Sequence, residues 1–330
     1  MTKARENSDY TGLQGDLAGL QTNITAGDTA ARAGRKNLII NGDMQVAQRG
    51  TSSTANGYVS LDRWYSNQSG ASTTFSQETN TNPSETGGIK SYARLNVSSS
   101  SDYTGISQKI EDVTSVPSGT VTLSFWAKGT APVGGLYVNS AQDFGTSGSG
   151  DVDIAGILIT SSLTSSWVKY STQITIPSVD GKTIGAGSFF IFQINQGTNS
   201  SSTAYDLNIT GLQLETGSVA TDFEHRSYGE ELALCQRYYK NNGGLQGAHH
   251  GAISSKVIFP VDVNSMRATP TASILYTGSA LFKVGQVAYN ISAVSMEASR
   301  SYLTITTTVD GDDNQPRTLS KNVIAFDAEL

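Results

Sequence analysis

Residues 120–129 read TVTLSFWAKG, and this stretch indicates the fold of the chain around it. Val121, Leu123 and Phe125 alternate with small polar residues, which is the period-two pattern of a strand with one buried face. Comparable runs, separated by clusters of turn-forming residues, extend from LIING at 38–42 to LNITGLQLE at 207–215. Since no strong helical period lies between them, the sequence predicts an all-β fold, most simply a jelly-roll β-sandwich.

The hydrophobic period changes near residue 227. Ser227 and Glu230 form an S-x-x-E capping box, which predicts a linking helix over 227–242. The apolar stripe of this helix either packs on the adjacent domain or self-associates around a threefold axis. It consists of Tyr228, Leu232, Cys235 and Tyr239.

Strand patterns return after the glycines at 243 and 244, for example in SYLTITTTVDG at 301–311. They predict a second, smaller antiparallel β-domain. The predicted domains are a docking or oligomerisation stalk at 1–36, a jelly roll at 37–226, the linking helix at 227–242 and a C-terminal β-domain, or tip, at 243–330.

The first 36 residues carry the spacing of a coiled-coil seam. Their apolar residues recur at intervals of four, three and four, as a and d positions do. Two heptads are too few for an independently stable helix, and nearby glycines weaken it further. The segment is therefore either a disordered leader or a short stalk that orders against neighbouring chains. The seam consists of Leu13, Leu17, Leu20 and Ile24.

Composition excludes several functions. The 330 residues carry 22 Lys and Arg against 28 Asp and Glu, a net charge of -6, which argues against nucleic acid as a ligand. A single cysteine, Cys235, excludes an internal disulfide framework, and its place on an apolar stripe predicts a buried, unreactive thiol. No stretch has the length of a signal peptide or membrane helix, so we expect synthesis in a cytoplasm and no membrane insertion.

Catalytic motifs are missing from the sequence. It contains no G-x-S-x-G elbow, no phosphate-binding glycine loop and no H-E-x-x-H pair. Acidic residues fall mainly in turn-like contexts, such as VDGDDNQ at 309–315. We therefore expect a protein that is not an enzyme and that uses no cofactor and no metal.

Sugar binding requires aromatic faces beside polar groups. The tryptophans Trp64, Trp126 and Trp167 lie within or next to apolar strand patterns and are expected in the core. Tyrosines nearer the loops are better candidates for ligand contact. These candidate ligand-binding residues are Tyr58, Tyr65, Tyr103 and Tyr137.

Several segments together resemble tail-fibre and related virion proteins of tailed bacteriophages, those of marine cyanobacterial phages included. The N-terminal MTKARENSDYTGLQGDLAGL looks like the leader by which such fibres attach to a tail. The resembling segments, in order, are GRKNLIINGDMQVAQRG at 34–50, LDRWY at 61–65, VTLSFWAKG at 121–129, SSWVKYSTQITIP at 165–177, LQLETGSVATDFEHRSYGEELALCQRYY at 212–239 and FPVDVNSMRATPTASI at 259–274.

The central block is also similar to galactose-binding-like jelly-roll carbohydrate-binding modules. In that family an opening N-G-D-F-E and a final Asp pair often hold a structural calcium. Asn41, Gly42 and Asp43 match the opening motif, but Met44 and Gln45 replace Phe and Glu, and NITGLQLE lacks the Asp pair. No calcium site is therefore carried over.

The resemblance implies a virion structural protein, a tail fibre or fibre-like appendage that recognises a host-surface glycan. Its expected partners are copies of itself, most simply in a trimer, other virion tail proteins through residues 1–36, and the glycan. Two alternatives remain open. One is a capsid or tail-junction decoration protein without receptor binding, and the other is a glycan-cleaving tailspike. An accessory module of a secreted hydrolase fits least, because neither a signal peptide nor a catalytic domain is recognised.

Overall fold

The computed structural model divides the chain into two compact units. The first contains the described residues of 1–45, 52–59 and 64–225, and the second those of 46–51, 60–63 and 226–330. The predicted stalk and its apolar seam lie outside the described residues. The structure describes residues 36–69, 73–98, 103–132, 134–196, 204–241, 245–249, 256–260, 263, 265–275, 282–284, 287–289, 291–296, 302–307, 317–319 and 324–330.

The first unit is built from two antiparallel sheets. One has the strand order β1-β3-β4-β11-β6-β9, and the other has the order β2-β5-β10-β7-β8. The strands are β1 (Ser52–Ser53), β2 (Tyr65–Ser69), β3 (Thr73–Thr79), β4 (Ser91–Val97), β5 (Tyr103–Glu111), β6 (Gly119–Gly129), β7 (Leu136–Asp143), β8 (Val152–Thr160), β9 (Val168–Ile176), β10 (Phe189–Asn195) and β11 (Tyr205–Thr216).

The core of this unit lies between the inner faces of the two sheets. In β6, Val121, Leu123 and Phe125 are each 0% exposed, as the alternation predicts, although Thr122 and Ser124 on the other face are also buried. In β10, Phe190 and Phe192 are also fully buried, and Phe192 packs edge to face against Trp64 at a centroid distance of 5.9 Å. The prediction of an all-β, jelly-roll β-sandwich is confirmed.

A bulge in β11 fits around a tryptophan of β6. The pairing of β11 with β6 shifts register between Thr210 and Gln213. Gly211 lies in this bulge with a φ of +64°, and an added Cβ would come within 2.6 Å of the Trp126 ring. Glycine is therefore required here both for its backbone conformation and for the close approach of the ring.

The predicted strand at 38–42 is wrong. LIING is an irregular segment, and Asn41 has a φ of +58° that interrupts any ladder. Ile40 bonds instead to a side chain, because its N–H donates to Gln108 Oε1 at 2.9 Å and its carbonyl accepts from Gln108 Nε2 at 2.8 Å. A buried glutamine thus satisfies backbone groups that a neighbouring strand would otherwise satisfy.

The second unit contains one described helix and two further antiparallel sheets. One sheet has the strand order β12-β21-β15 and the other β17-β16-β20-β13-β14-β19-β18. The prediction of a smaller antiparallel β-region after the sandwich is confirmed. The elements are α1 (Tyr228–Gln236), β12 (Tyr239–Asn241), β13 (Leu245–His249), β14 (Lys256–Pro260), β15 (Thr271–Ile274), β16 (Phe282–Val284), β17 (Val287–Tyr289), β18 (Ile291–Met296), β19 (Tyr302–Thr307), β20 (Arg317–Leu319) and β21 (Ile324–Asp327).

Helix α1 begins as predicted but ends earlier. The capping box is confirmed, because Ser227 Oγ accepts from the Glu230 N–H at 3.3 Å and Glu230 Oε2 accepts from the Ser227 N–H at 2.9 Å. The predicted end at residue 242 is wrong, since Tyr239 already pairs with Asp327 in a strand ladder. The predicted stripe is also narrower than expected, because Tyr228 is 55% exposed. None of the helices in the described residues could span a membrane.

Buried charges connect distant parts of the second unit. Arg63 is 1% exposed, donates to the Glu329 carboxylate, and stacks with its guanidinium 3.5 Å from the centre of the Tyr238 ring. Arg49 donates to Glu329 at 3.2 Å and stacks in the same way, 3.6 Å from the Tyr239 ring. Burial raises the pKa of Glu329 above its ordinary value, although the two arginines oppose that shift.

Candidate functional site

The outward face of the five-stranded sheet in the first unit collects aromatic and amide side chains. In β10, Phe190, Phe192 and Ile194 face the core, so Gln193 and Asn195 point to the opposite face, where Gln193 is half-buried and Asn195 is buried. Their paired neighbours share this face, and we call it the tyrosine–amide face. It consists of Tyr65 and Asn67 on β2, Tyr103 and Ser107 on β5, Tyr137 and Asn139 on β7, and Gln193 and Asn195 on β10.

Three of the four predicted tyrosines lie on this face, and the fourth contacts it. Tyr65, Tyr103 and Tyr137 occupy three different strands, and each is half-buried. Tyr58 lies before β2 and meets Tyr65 edge to face, with ring centres 5.1 Å apart. Residues far apart in sequence are therefore brought onto one face of the sheet, and Tyr58 and Tyr65 are in ring contact there.

Tyr103 is held in place by the amides beside it. Its hydroxyl donates to Gln193 Oε1 at 2.7 Å and accepts from Asn195 Nδ2 at 3.1 Å. Burial raises the pKa of the Tyr103 hydroxyl, although the hydrogen bond from Asn195 opposes the shift. The hydroxyl therefore stays protonated at neutral pH and keeps its donor.

Polar side chains, two of them amides, form a line across the sheet that sequence reasoning missed. The register places Tyr65 opposite Ser107, Ser107 opposite Gln193, and Gln193 opposite Asn139. In the adjacent row, Asn67 Nδ2 donates to Ser107 Oγ at 2.8 Å. A signal was available in FFIFQIN at 189–195, where polar residues alternate with core positions. Only the register, however, aligns these amides with those of other strands.

A shallow pocket of about 150 Å³ opens at one end of this line. Ala141 is the smallest outward residue of β7, and it leaves space between its larger neighbours. One water occupies about 30 Å³ of liquid, so the pocket has room for about five waters. It is lined by Asn139, Ser140, Ala141, Asp153, Ile191 and Gln193.

Charged groups lie beyond the pocket on the same sheet. The Lys109 ammonium lies 4.1 Å from the centre of the Phe189 ring. Phe189 pairs with Glu111 on one side and Asp143 on the other, and Asp153 pairs with Ala141. The described charged residues of this sheet are therefore three acids and one lysine.

The tryptophans lie mostly where they were expected. Trp64 is 0% exposed and Trp167 is 8% exposed, so their predicted core position is confirmed. Trp126 is half-buried on the other sheet, and the Lys169 ammonium lies 4.8 Å from its ring.

Metal chemistry has no obvious place in the part of the chain that the structure describes. No group of three or more His, Cys, Asp and Glu side chains there could hold a metal ion. Asp43, from the N-G-D motif, accepts instead from Gln45 Nε2 at 2.8 Å. The free thiol of Cys235 is buried, and burial raises its pKa well above its ordinary value. The expectation of a buried thiol is confirmed.

Comparison with known proteins gives only distant likenesses. No family model matches the chain, and no curated protein matches it. A CBM4 carbohydrate-binding module is 17% identical, with 54% of this chain and 98% of that chain covered and a TM-score of 0.35. Tailspike protein 4 of bacteriophage CBA120, as its enzymatically active domain, is 14% identical over 55% of this chain and 21% of that one, with a TM-score of 0.34. The baseplate tripod of bacteriophage Tuc2009 is 12% identical over 89% of this chain and 90% of that one, with a TM-score of 0.31.

Proposed function

We propose that this protein binds a host-surface glycan through the tyrosine–amide face, as part of a tail fibre or fibre-like appendage of a tailed bacteriophage. One observation carries the binding proposal. Tyr65, Tyr103 and Tyr137 lie beside a line of amides and a pocket on one face of a sheet. The virion assignment rests on the sequence resemblance described above.

The chemistry of this face suits a sugar. Tyrosine offers a flat apolar ring with a polar end, and glycans present apolar C–H faces edged with hydroxyls. The side-chain amides of Asn139 and Gln193 can both donate and accept hydrogen bonds, as sugar hydroxyls also do. The half-buried Tyr137 lies next to them and would stack on the ring.

A weak site of this kind becomes effective when it is repeated. We propose a trimer assembled through Leu13, Leu17, Leu20 and Ile24, with residues 1–36 also contacting other virion tail proteins. Repetition on a rigid particle raises avidity by about 10²–10⁴ without new contacts. One shallow pocket per chain is therefore sufficient for adhesion.

Glycan-array binding by the full-length protein tests this proposal. We expect the wild-type chain to bind a defined set of glycans, and Tyr137→Ala and Asn139→Ala each to weaken binding about tenfold, as truncating a central contact of about 1.4 kcal/mol does. Tyr228→Ala is the matched control, because this exposed tyrosine lies in the second unit. Binding that is absent, or equally lost in the control, would overturn the proposal.

The role is proposed to be non-catalytic and located on the tail. Incubation with host envelope polysaccharide should release no oligosaccharides, and reproducible release would instead favour a tailspike. Imaging of virions that carry labelled protein should place it at the tail. Attachment across the head lattice would favour the decoration protein.

A further inference from the structure

The charge on the five-stranded sheet is uneven. Its described charged residues are Lys109, Glu111, Asp143 and Asp153. Three carboxylates against one ammonium leave a net charge of -2 on a face that is otherwise neutral. All four lie at the pocket end, because Asp153 pairs with Ala141 in the row that also contains Lys109.

Lys109, the one cation among the described residues of this sheet, is in contact with an aromatic ring. The Lys109 ammonium lies over the Phe189 ring at 4.1 Å, so part of its charge interacts with that ring. Asp153 is exposed and lines the pocket itself. A ligand in the pocket therefore meets a carboxylate before it meets the ammonium.

Hydrogen bonding at the pocket also favours a neutral ligand over an anionic one. A neutral sugar hydroxyl can donate to the Asp153 carboxylate, and another can bond to the amides of Asn139 or Gln193. A carboxylate or phosphate on the ligand has acceptor oxygens only, so beside Asp153 it faces a like charge.

Resting on the function proposed above, we infer that this site selects uncharged glycans and disfavours those that carry carboxylates or phosphates. Two excess negative charges about 8 Å from a ligand carboxylate in water reduce affinity about fivefold. Salt screens this effect, because the Debye length falls from about 10 Å at 0.1 M to about 3 Å at 1 M.

The test compares each neutral polymer with its own acidic derivative. Immobilised glucans, mannans, galactans and xylans are paired with carboxymethylated forms of the same polymers, and binding of the full-length protein is measured at low salt and at about 1 M salt, where screening is nearly complete. The double variant Glu111→Gln with Asp143→Asn removes two acids outside the pocket lining. Asp180→Asn removes an exposed turn acid of the same unit as the control.

We expect the neutral form to bind about fivefold tighter than the carboxymethylated form in the wild type and in Asp180→Asn. The ratio of neutral to acidic binding should fall towards one at high salt, and it should fall part of the way in the double variant, which retains Asp153 in the pocket lining. Equal or tighter Tyr137-dependent binding of the acidic form by the wild type would overturn the charge selectivity and leave the glycan-binding proposal standing. If no polymer of either kind binds, the proposed function fails and the selectivity fails with it.

Discussion

Two arginine–carboxylate pairs show how strongly burial determines what an ion pair contributes to the stability of the fold. Arg63 and Glu329 pair with side chains only 1% and 6% exposed, while Arg94 and Asp206 pair at 2.9 Å with side chains 40% and 34% exposed. Removing one partner of a buried pair leaves an uncompensated charge in a poorly hydrated place. Removing one partner of an exposed pair leaves a charge that water solvates.

We therefore expect Arg63→Met to lower the free energy of unfolding of the second unit by about 1–3 kcal/mol, because Arg49 still donates to Glu329 and offsets part of its buried charge. Arg94→Met should lower the free energy of unfolding of the first unit by only about 0–1 kcal/mol. Chemical denaturation can follow each unit separately, because Trp64, Trp126 and Trp167 report by fluorescence on the first unit and labelling of the buried Cys235 reports on the second. A loss below about 1 kcal/mol in Arg63→Met would show that the buried pair stabilises no more than an exposed pair does.

Single residues also show the limit of sequence reasoning about the site. The tyrosines could be proposed because sugar binding requires aromatic faces and these side chains lie nearer the loops than the tryptophans do, and three of them do share a face. Asn139 and Asp153 could not be proposed, because their importance comes from the residues that the register places opposite them. Cross-strand register is a long-range property that a local pattern does not contain.

At the scale of elements, the start of helix α1 was predictable and its end was not. Ser227 and Glu230 satisfy each other's backbone N–H groups, a purely local arrangement that the spacing S-x-x-E encodes. The end depends on Tyr239, which joins a ladder with Asp327, 88 residues later in the chain. Pairing with a distant strand thus overrides the helical period of the sequence.

The cap gives a prediction for this helix. Ser227→Ala should destabilise the second unit by about 1 kcal/mol, because an orphan N–H at the helix start loses its acceptor. Ser227→Asp retains a side-chain acceptor and should stay close to the wild type. Labelling of Cys235 under denaturant, which reports on opening of the helix itself, measures both. An unchanged denaturation midpoint in Ser227→Ala would mean that the capping box does not stabilise the helix measurably.

Strands were easier to predict than the irregular segments between them. Alternation identified β6 because apolar side chains point to one face of that strand and small polar side chains point to the other. The same reasoning misassigned LIING at 38–42, where Leu38 and Gly42 bond to the backbone of β11 but Ile40 between them bonds to the Gln108 side chain. A hydrogen bond between a backbone group and a distant side chain follows no hydrophobic period, so the sequence pattern does not predict it.

At the scale of the whole molecule, the proposed adhesion depends on assembly. Light scattering of the full-length wild-type protein should give a mass about three times the 34.8 kDa of one chain. Leu17→Glu places a charge in the predicted seam and should reduce this mass to that of a monomer. Gln21→Glu, outside the seam, should leave the trimer intact. A wild-type monomer that also fails to assemble on virions would contradict the trimer.

A crystal structure of the full-length protein with its best-binding array glycan shows whether the tyrosine–amide face is the glycan-binding surface. We predict a sugar ring in contact with Tyr137, with hydroxyls bonded to Asn139 and Gln193 beside the pocket at Ala141. A glycan bound on any other surface, with this face empty, would overturn the proposal that the tyrosine–amide face binds the glycan.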